Sequence, residues 1–169
     1  MPMMNISEYK MAILADVYNN PLIVEAIDSQ QADVFKDEPD SLMYRNLFPF
    51  LRIPDTQNKA DTYVLLSVNV DRINRNNKTY AIYRTTIWVL AHMERMQMPE
   101  RYKATRIDFI GEELKKMFDG GYEFGFSEFE LISNREILLN EKYHYRELVY
   151  ICRDLRHPVT KLGREGNGG

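Results

Sequence analysis

The spacing of apolar positions divides the chain into extended and helical stretches. From Thr79 to Ala91, β-branched and aromatic residues follow one another without Gly or Pro, and Arg84 is the only charge. That composition predicts a long strand. Both of its side-chain registers are largely apolar, so the strand is expected at the centre of a sheet, covered on both faces for much of its length. Over Tyr63–Ile73, Val64, Leu66, Val68 and Val70 share one register while Ser67, Asn69 and Asp71 occupy the other, the alternation of a half-exposed strand. The polar connection through Arg72, Asn74, Arg75, Asn76, Asn77 and Lys78 predicts a long hairpin with a projecting basic tip.

Helical spacing appears on either side of this hairpin. Ser7 is positioned to cap a first helix running to about Tyr18, with Met11, Leu14, Val17 and Tyr18 on one face. Asn19 and Asn20 interrupt it, and Pro21 opens a second helix striped by Leu22, Ile23, Ala26 and Ile27. Further on, Thr105 and Asp108 have the form of a capping box, and Ile107, Ile110, Leu114, Met117 and Phe118 trace a stripe that leaves Asp108, Glu112, Lys115 and Lys116 facing solvent. Gly120 and Gly121 end that helix. A third strand is read in Phe124, Phe126, Phe129, Leu131 and Ile132, a connector over Asn134–Lys142, and a fourth strand over Tyr143–Asp154. In that last strand Tyr143, Tyr145, Val149 and Ile151 face one way, and His144, Arg146, Leu148, Tyr150 and Cys152 the other.

This order predicts an α+β fold: an antiparallel or mixed four-stranded sheet covered by helices, with two N-terminal helices and one middle helix. Ile87, Trp88, Ile107, Ile110, Leu114, Phe118 and Cys152 are the core candidates. Residues 1–158 read as a single domain with an N-terminal helical extension, and residues 159–169, with four glycines, as a flexible tail. The sheet face away from the helices must be wet or covered by another chain, and strands rich in Tyr, Phe and Trp give weight to the second.

Composition narrows the function classes. A chain of 169 residues with 44% hydrophobic and 28% charged residues is globular in type, and a formal net charge of -3 gives no general reason to expect nucleic-acid binding. The single cysteine, Cys152, excludes an intrachain disulfide and four-cysteine zinc chemistry. Met1–Lys10 lacks the pattern of a secretory signal, and no uncharged run reaches the roughly 20 residues that cross a bilayer. A soluble intracellular product is therefore expected. Residues 31–62 are the least regular part: Asp33, Asp37, Glu38 and Asp40 make an acidic surface, followed by the apolar cluster of Leu42, Met43, Leu47, Phe48, Phe50, Leu51 and Ile53. That cluster reads either as core cover or as an interface. The basic tip reads either as a solvated turn or as a contact to a partner or to phosphates.

Catalytic patterns are sparse. His92, His144 and His157 have no local ligand partner at helical spacing. The neighbouring acids Glu112/Glu113 and Asp37/Glu38 read as solvated charges, and nothing in the spacing of Asp108, Glu128, Glu130 and Asp154 brings them together for metal-assisted hydrolysis. There is no phosphate-cradling glycine loop with a lysine and no serine elbow. Catalysis is disfavoured, and neither a cofactor nor a metal is expected.

Four segments carry a resemblance: Leu47-Phe48-Pro49-Phe50 with Ile53-Pro54-Asp55-Thr56, Thr105-Arg106-Ile107-Asp108, Gly125-Phe126-Ser127-Glu128-Phe129-Glu130-Leu131, and Tyr145-Arg146-Glu147-Leu148. Together they resemble the small neck proteins of tailed bacteriophages, most closely the tail-terminator or tail-completion family. The resemblance implies a structural virion protein of the neck, assembled in the host cytoplasm as a hexameric ring. Such a ring terminates the tail tube, joins it to the head-side connector, and passes DNA through its lumen without sequence-specific binding. It implies no membrane partner. On this reading Arg72, Arg75 and Lys78 are candidates for the lumen or an acidic partner surface, and Leu47, Phe48 and Phe50 are candidate docking anchors. A head-closure or head–tail adaptor role is the nearest alternative; a metal-dependent nuclease and a monomeric binding module are the others. The extended N-terminal part through Ile53 departs from the family pattern.

Overall fold

The computed structural model describes residues 5–27, 42–53, 60–73, 80–121 and 128–155. Two helices come first, α1 (Ile6–Asn19) and α2 (Pro21–Ile27), then the strands β1 (Leu47–Phe48), β2 (Thr62–Ile73) and β3 (Tyr80–His92). After two short 3-10 turns, α3 (Arg106–Phe118) leads into β4 (Glu130–Leu138) and β5 (Tyr143–Leu155). The strands form one five-stranded sheet in the order β1-β2-β3-β5-β4. β1 pairs parallel to β2, and every other pairing is antiparallel. The fold is thus α+β with a mixed sheet packed by helices, and the dense run around Trp88 lies at its centre. The short parallel β1 is a fifth strand beyond the four read from the sequence; two residues carry too little pattern to register as a strand.

The helices cover one face. Tyr9, Ile13, Leu14 and Val17 of α1, Ile23, Ala26 and Ile27 of α2, and Ile107, Ile110, Leu114 and Phe118 of α3 are buried. They pack on Val64, Leu66, Val68, Ile87, Val89, Leu148, Tyr150 and Cys152 of the sheet. Asn5, not Ser7, caps α1: its side chain accepts from the Glu8 amide, and Glu8 returns a bond to the Asn5 amide, a reciprocal capping box. That cap sets the helix so that Tyr9 and Ile13 turn inward, while Met11, and Leu22 at the start of α2, stay exposed. Thr105 caps α3, but the carboxylate of Asp108 does not close the box; it binds Arg146 on β5 instead. Of the two glycines after α3, only Gly120 takes a positive φ, at 80°.

The third long strand begins later than the aromatic run suggests. Phe124 and Phe126 lie outside the described residues, and the strand occupies Glu130–Leu138, most of what the sequence reads as a connector. β4 is an edge strand, where charged residues such as Arg135 and Glu136 are compatible with pairing and discourage unwanted association. Asp33, Asp37, Glu38, Asp40, Arg75, Lys78, His157 and residues 159–169 also lie outside the described residues. Arg72 is described as a backbone position only, opposite Ile82 in the β2–β3 pairing.

Three hydroxyls on the helix-covered face have no hydrogen-bond partner among the described residues, Thr62 Oγ1, Thr85 Oγ1 and Tyr150 OH, and the last two residues oppose each other across β3 and β5. An unpartnered buried hydroxyl costs free energy that an apolar isostere avoids. Thr85→Val and Tyr150→Phe are therefore each expected to raise unfolding stability by about 1 kcal/mol, measured by chemical denaturation. A comparable loss would show that the hydroxyl is satisfied.

Gly111 sits on the buried side of α3, where an added Cβ would lie 2.6 Å from Cδ of Arg146. Arg146 cannot easily yield, because it holds Asp108 on α3 and Asn134 on β4. Gly111→Ala should lose about 1 kcal/mol although alanine favours helices by a similar amount. In an Arg146→Ala background the same substitution should stabilise, so a double-mutant cycle checks the sign reversal.

Candidate functional site

The other face of the sheet carries the candidate site. Successive residues of a strand point to opposite faces, so Leu47 enters the helix-covered core while Phe48 enters a second, smaller cluster with Leu65, Leu90 and Tyr143. Leu47 is fully buried and Phe48 is 2% exposed. Both are interior residues holding β1 to the sheet, which corrects their expected role as docking anchors; Phe50 alone of the three candidates is exposed. Trp88 likewise leaves the core assigned to it, since its register faces away from the helices and it packs half-buried against the second cluster. Ile87, Ile107, Ile110, Leu114, Phe118 and Cys152 are buried under the helices, and the Cys152 thiol lies 2.7 Å from the Tyr9 hydroxyl.

Strand register assembles this face in rows. One row crosses all five strands, with Phe48 opposite Leu65, Leu65 opposite Trp88, Trp88 opposite Glu147, and Glu147 opposite Arg135. The next runs through Tyr63, Leu90, Tyr145 and Ile137. Toward the hairpin the rows become polar, with Ser67 opposite Thr86 and Asn69 opposite Arg84. The aromatic residues thus gather in the half of the face nearest β1, while Val149 and Ile151 of β5 continue the rows toward the hairpin opposite Thr86 and Arg84.

The chain after β1 forms a wall beside these rows. Asn46 anchors it, its side-chain amide donating to the Thr62 carbonyl at 2.8 Å while its own carbonyl accepts from the Val64 amide. From the other side, Lys10 of α1 donates to the Pro49 carbonyl at 2.9 Å. Leu51 and Ile53 then project with 58% and 76% exposure, values that leave large side chains uncovered. Between this wall and Leu139 lies an open trough of about 440 Å³ whose floor is Leu65, Trp88, Leu90 and Tyr145. That is within the size range of ligand and side-chain pockets, roughly 300–1,000 Å³.

Two charged groups meet the trough, and their states differ. Glu147 on the floor is fully engaged: one oxygen accepts from Trp88 Nε1 at 3.0 Å and the other from Arg135 Nε at 2.7 Å. Arg52, on the wall, places its guanidinium 4.9 Å from the centre of the Phe48 ring, a cation–π contact, and no carboxylate pairs with it among the described residues. Nearby, burial pushes the Tyr63 phenol up to about 12, with Tyr143 and Asp61 adding to the rise and Arg52 opposing it. Tyr63 is therefore a neutral hydrogen-bonding group at physiological pH.

The groups considered for metal chemistry are dispersed. Asp108 is engaged by Arg146, Glu128 and Glu130 are exposed, and His92 accepts a bond from the Glu94 amide. Among the described residues no three His, Cys, Asp or Glu side chains are placed to hold a metal ion. No helix among them is long and apolar enough to cross a membrane. The arrangement combines an aromatic floor, exposed aliphatic walls and a cation, Arg52, that has no carboxylate partner among the described residues. No curated protein matches the chain. A family model described as YomW matches residues 17–152, a span that includes the whole sheet except its last three residues.

Proposed function

We propose that this chain, which belongs to the YomW family, is a structural subunit of a bacteriophage neck that assembles as a ring at the end of the tail tube. The observation that carries the reading is the uncovered half-face of the sheet, where Trp88, Tyr145, Leu51 and Ile53 form an apolar surface facing no other element among the described residues. Contiguous exposed apolar surface of this kind marks contact with another protein. A contact of this face with an unlike surface of the next copy is head to tail, and such contacts form a ring where the rotation between copies closes. The resemblance of the Leu47–Phe50, Thr105–Asp108 and Tyr145–Leu148 segments to tail-terminator proteins supplies the biological setting. The subunit acts by shape and contact, without catalysis, and the ring's neighbours are the tail tube protein and the head-side connector, with DNA passing through its lumen.

Projection images of the purified chain by electron microscopy test this reading. Annular particles with a central opening are expected. Uniform compact particles the size of one 20.0 kDa chain would contradict it.

A further inference from the structure

We infer that the trough beside Trp88 receives a segment of a neighbouring protein in which an aliphatic or aromatic side chain stands next to a carboxylate. This deepens the reading of the uncovered face as a contact surface and rests on it. The apolar part of the specificity follows from the lining: Leu51, Ile53, Leu65 and Leu90 offer no donor or acceptor in their side chains, and Trp88 and Tyr145 present ring surface. The indole N–H is already taken by Glu147, so the trough offers its occupant a predominantly apolar surface.

The charge of the occupant follows from which group remains unneutralised. Among the described residues Glu147 is the one acid lining the trough, and its two oxygens are held by Trp88 and Arg135, so it neither calls for a cation nor strongly repels an anion. Arg52 has no such partner among the described residues. Its guanidinium rests on the Phe48 ring, and Arg52 lines the trough together with its exposed sequence neighbours Leu51 and Ile53, so the charge is held beside the place where an apolar group would enter. A carboxylate one or two residues from that group would make charge-assisted hydrogen bonds to Arg52, whereas a lysine there would meet a like charge. An acidic apolar segment suits both halves of the site.

Trp88 is the only tryptophan and lines the trough, so its emission reports occupancy in the unmodified full chain. The probes are three acetylated, amidated peptides, Asp-Leu-Phe-Glu, Asn-Leu-Phe-Gln and Lys-Leu-Phe-Lys, titrated at low salt with the native mass of the protein recorded in each sample. The acidic peptide is expected to shift Trp88 emission saturably. It should bind about three- to fivefold more tightly than the amide peptide, the scale of one exposed ion pair, and the basic peptide more weakly than either. Arg52→Gln should remove the preference for the acidic peptide while leaving the amide peptide unchanged. Leu51→Ser with Ile53→Ser, both exposed positions, should weaken all three peptides by about tenfold or more. Equal affinity for the acidic and amide peptides, no response to any peptide, or a shift produced by protein concentration alone and unaltered by peptide would each overturn the inference. The last result would assign the trough to a second copy of the chain. A protein that stays monomeric yet prefers the acidic peptide would count against the ring and leave this inference standing.

Discussion

Truncating Phe48 to alanine is expected to cost about 3–5 kcal/mol of stability, the range for removing a fully buried phenylalanine. Phe48 holds together three things at once. It fixes β1 against Leu65 of β2, it forms an edge contact with Phe50 at 5.5 Å between ring centres, and it supports the Arg52 guanidinium. The loss should therefore appear first as a lowered denaturation midpoint, and the wall of the trough should loosen with it. Phe48→Leu should recover most of the stability, because it restores apolar volume, but not the seat for Arg52. A docking anchor would behave in the opposite way: truncation would leave the midpoint unchanged and remove only association. Chemical denaturation of the two variants, followed by far-UV circular dichroism, separates these roles.

Arg106→Met is expected to destabilise the chain by about 3 kcal/mol, the cost of losing charge-assisted bonds to buried groups. Arg106 is the first residue of α3, yet it is only 6% exposed. Its guanidinium donates to the carbonyls of Ala26 at the end of α2 and of Arg95 and Gln97 in the stretch before α3. One side chain thus ties the end of α2 to the start of α3. Methionine matches its length and apolar stem but has no donor, so the carbonyls lose these bonds in a place where water does not easily substitute. For a chain of this size the expected fall in melting temperature is about 6–12 °C. Arg106→Lys, which donates from a single point, should fall between. A melting temperature within a degree of the parent would mean that the clasp is not formed in solution.

Both residues illustrate what the sequence conveys and what it does not. Local repetition carries the strands and helices: the unbroken apolar run around Trp88 gives the central strand, and the spacing Ile107–Ile110–Leu114–Phe118 gives the buried stripe of α3. Long-range pairing is not local, and it decides the site. Nothing near Arg106 in sequence indicates that its partner is the carbonyl of Ala26, and nothing near Asp108 indicates that it serves Arg146 rather than its own helix cap. The two-residue β1 is equally invisible to periodicity, though it determines that Leu47 and Phe48 are interior and that Leu51 and Ile53 are not.

Trp88 shows a finer limit. Its placement in the core follows from its size and from the apolar character of the run, but its register partners Arg84 and Thr86 are the more polar of the two sets. That parity was the available sign that the tryptophan faces away from the helices. The trough itself depends on residues from β2, β3, β5 and the chain after β1 meeting in one place, which only the strand order brings about. The neutral state of Glu147's surroundings depends on the Arg135 pairing across β4 and β5, in a segment whose composition resembles a loop.

Native mass decides whether copies of this chain join one another as proposed. Light scattering or native mass spectrometry should be run across protein concentration and salt. A discrete assembly of about six 20.0 kDa chains is expected, forming without added partner and persisting over a range of concentrations. A strict monomer at high concentration under every salt condition would contradict it.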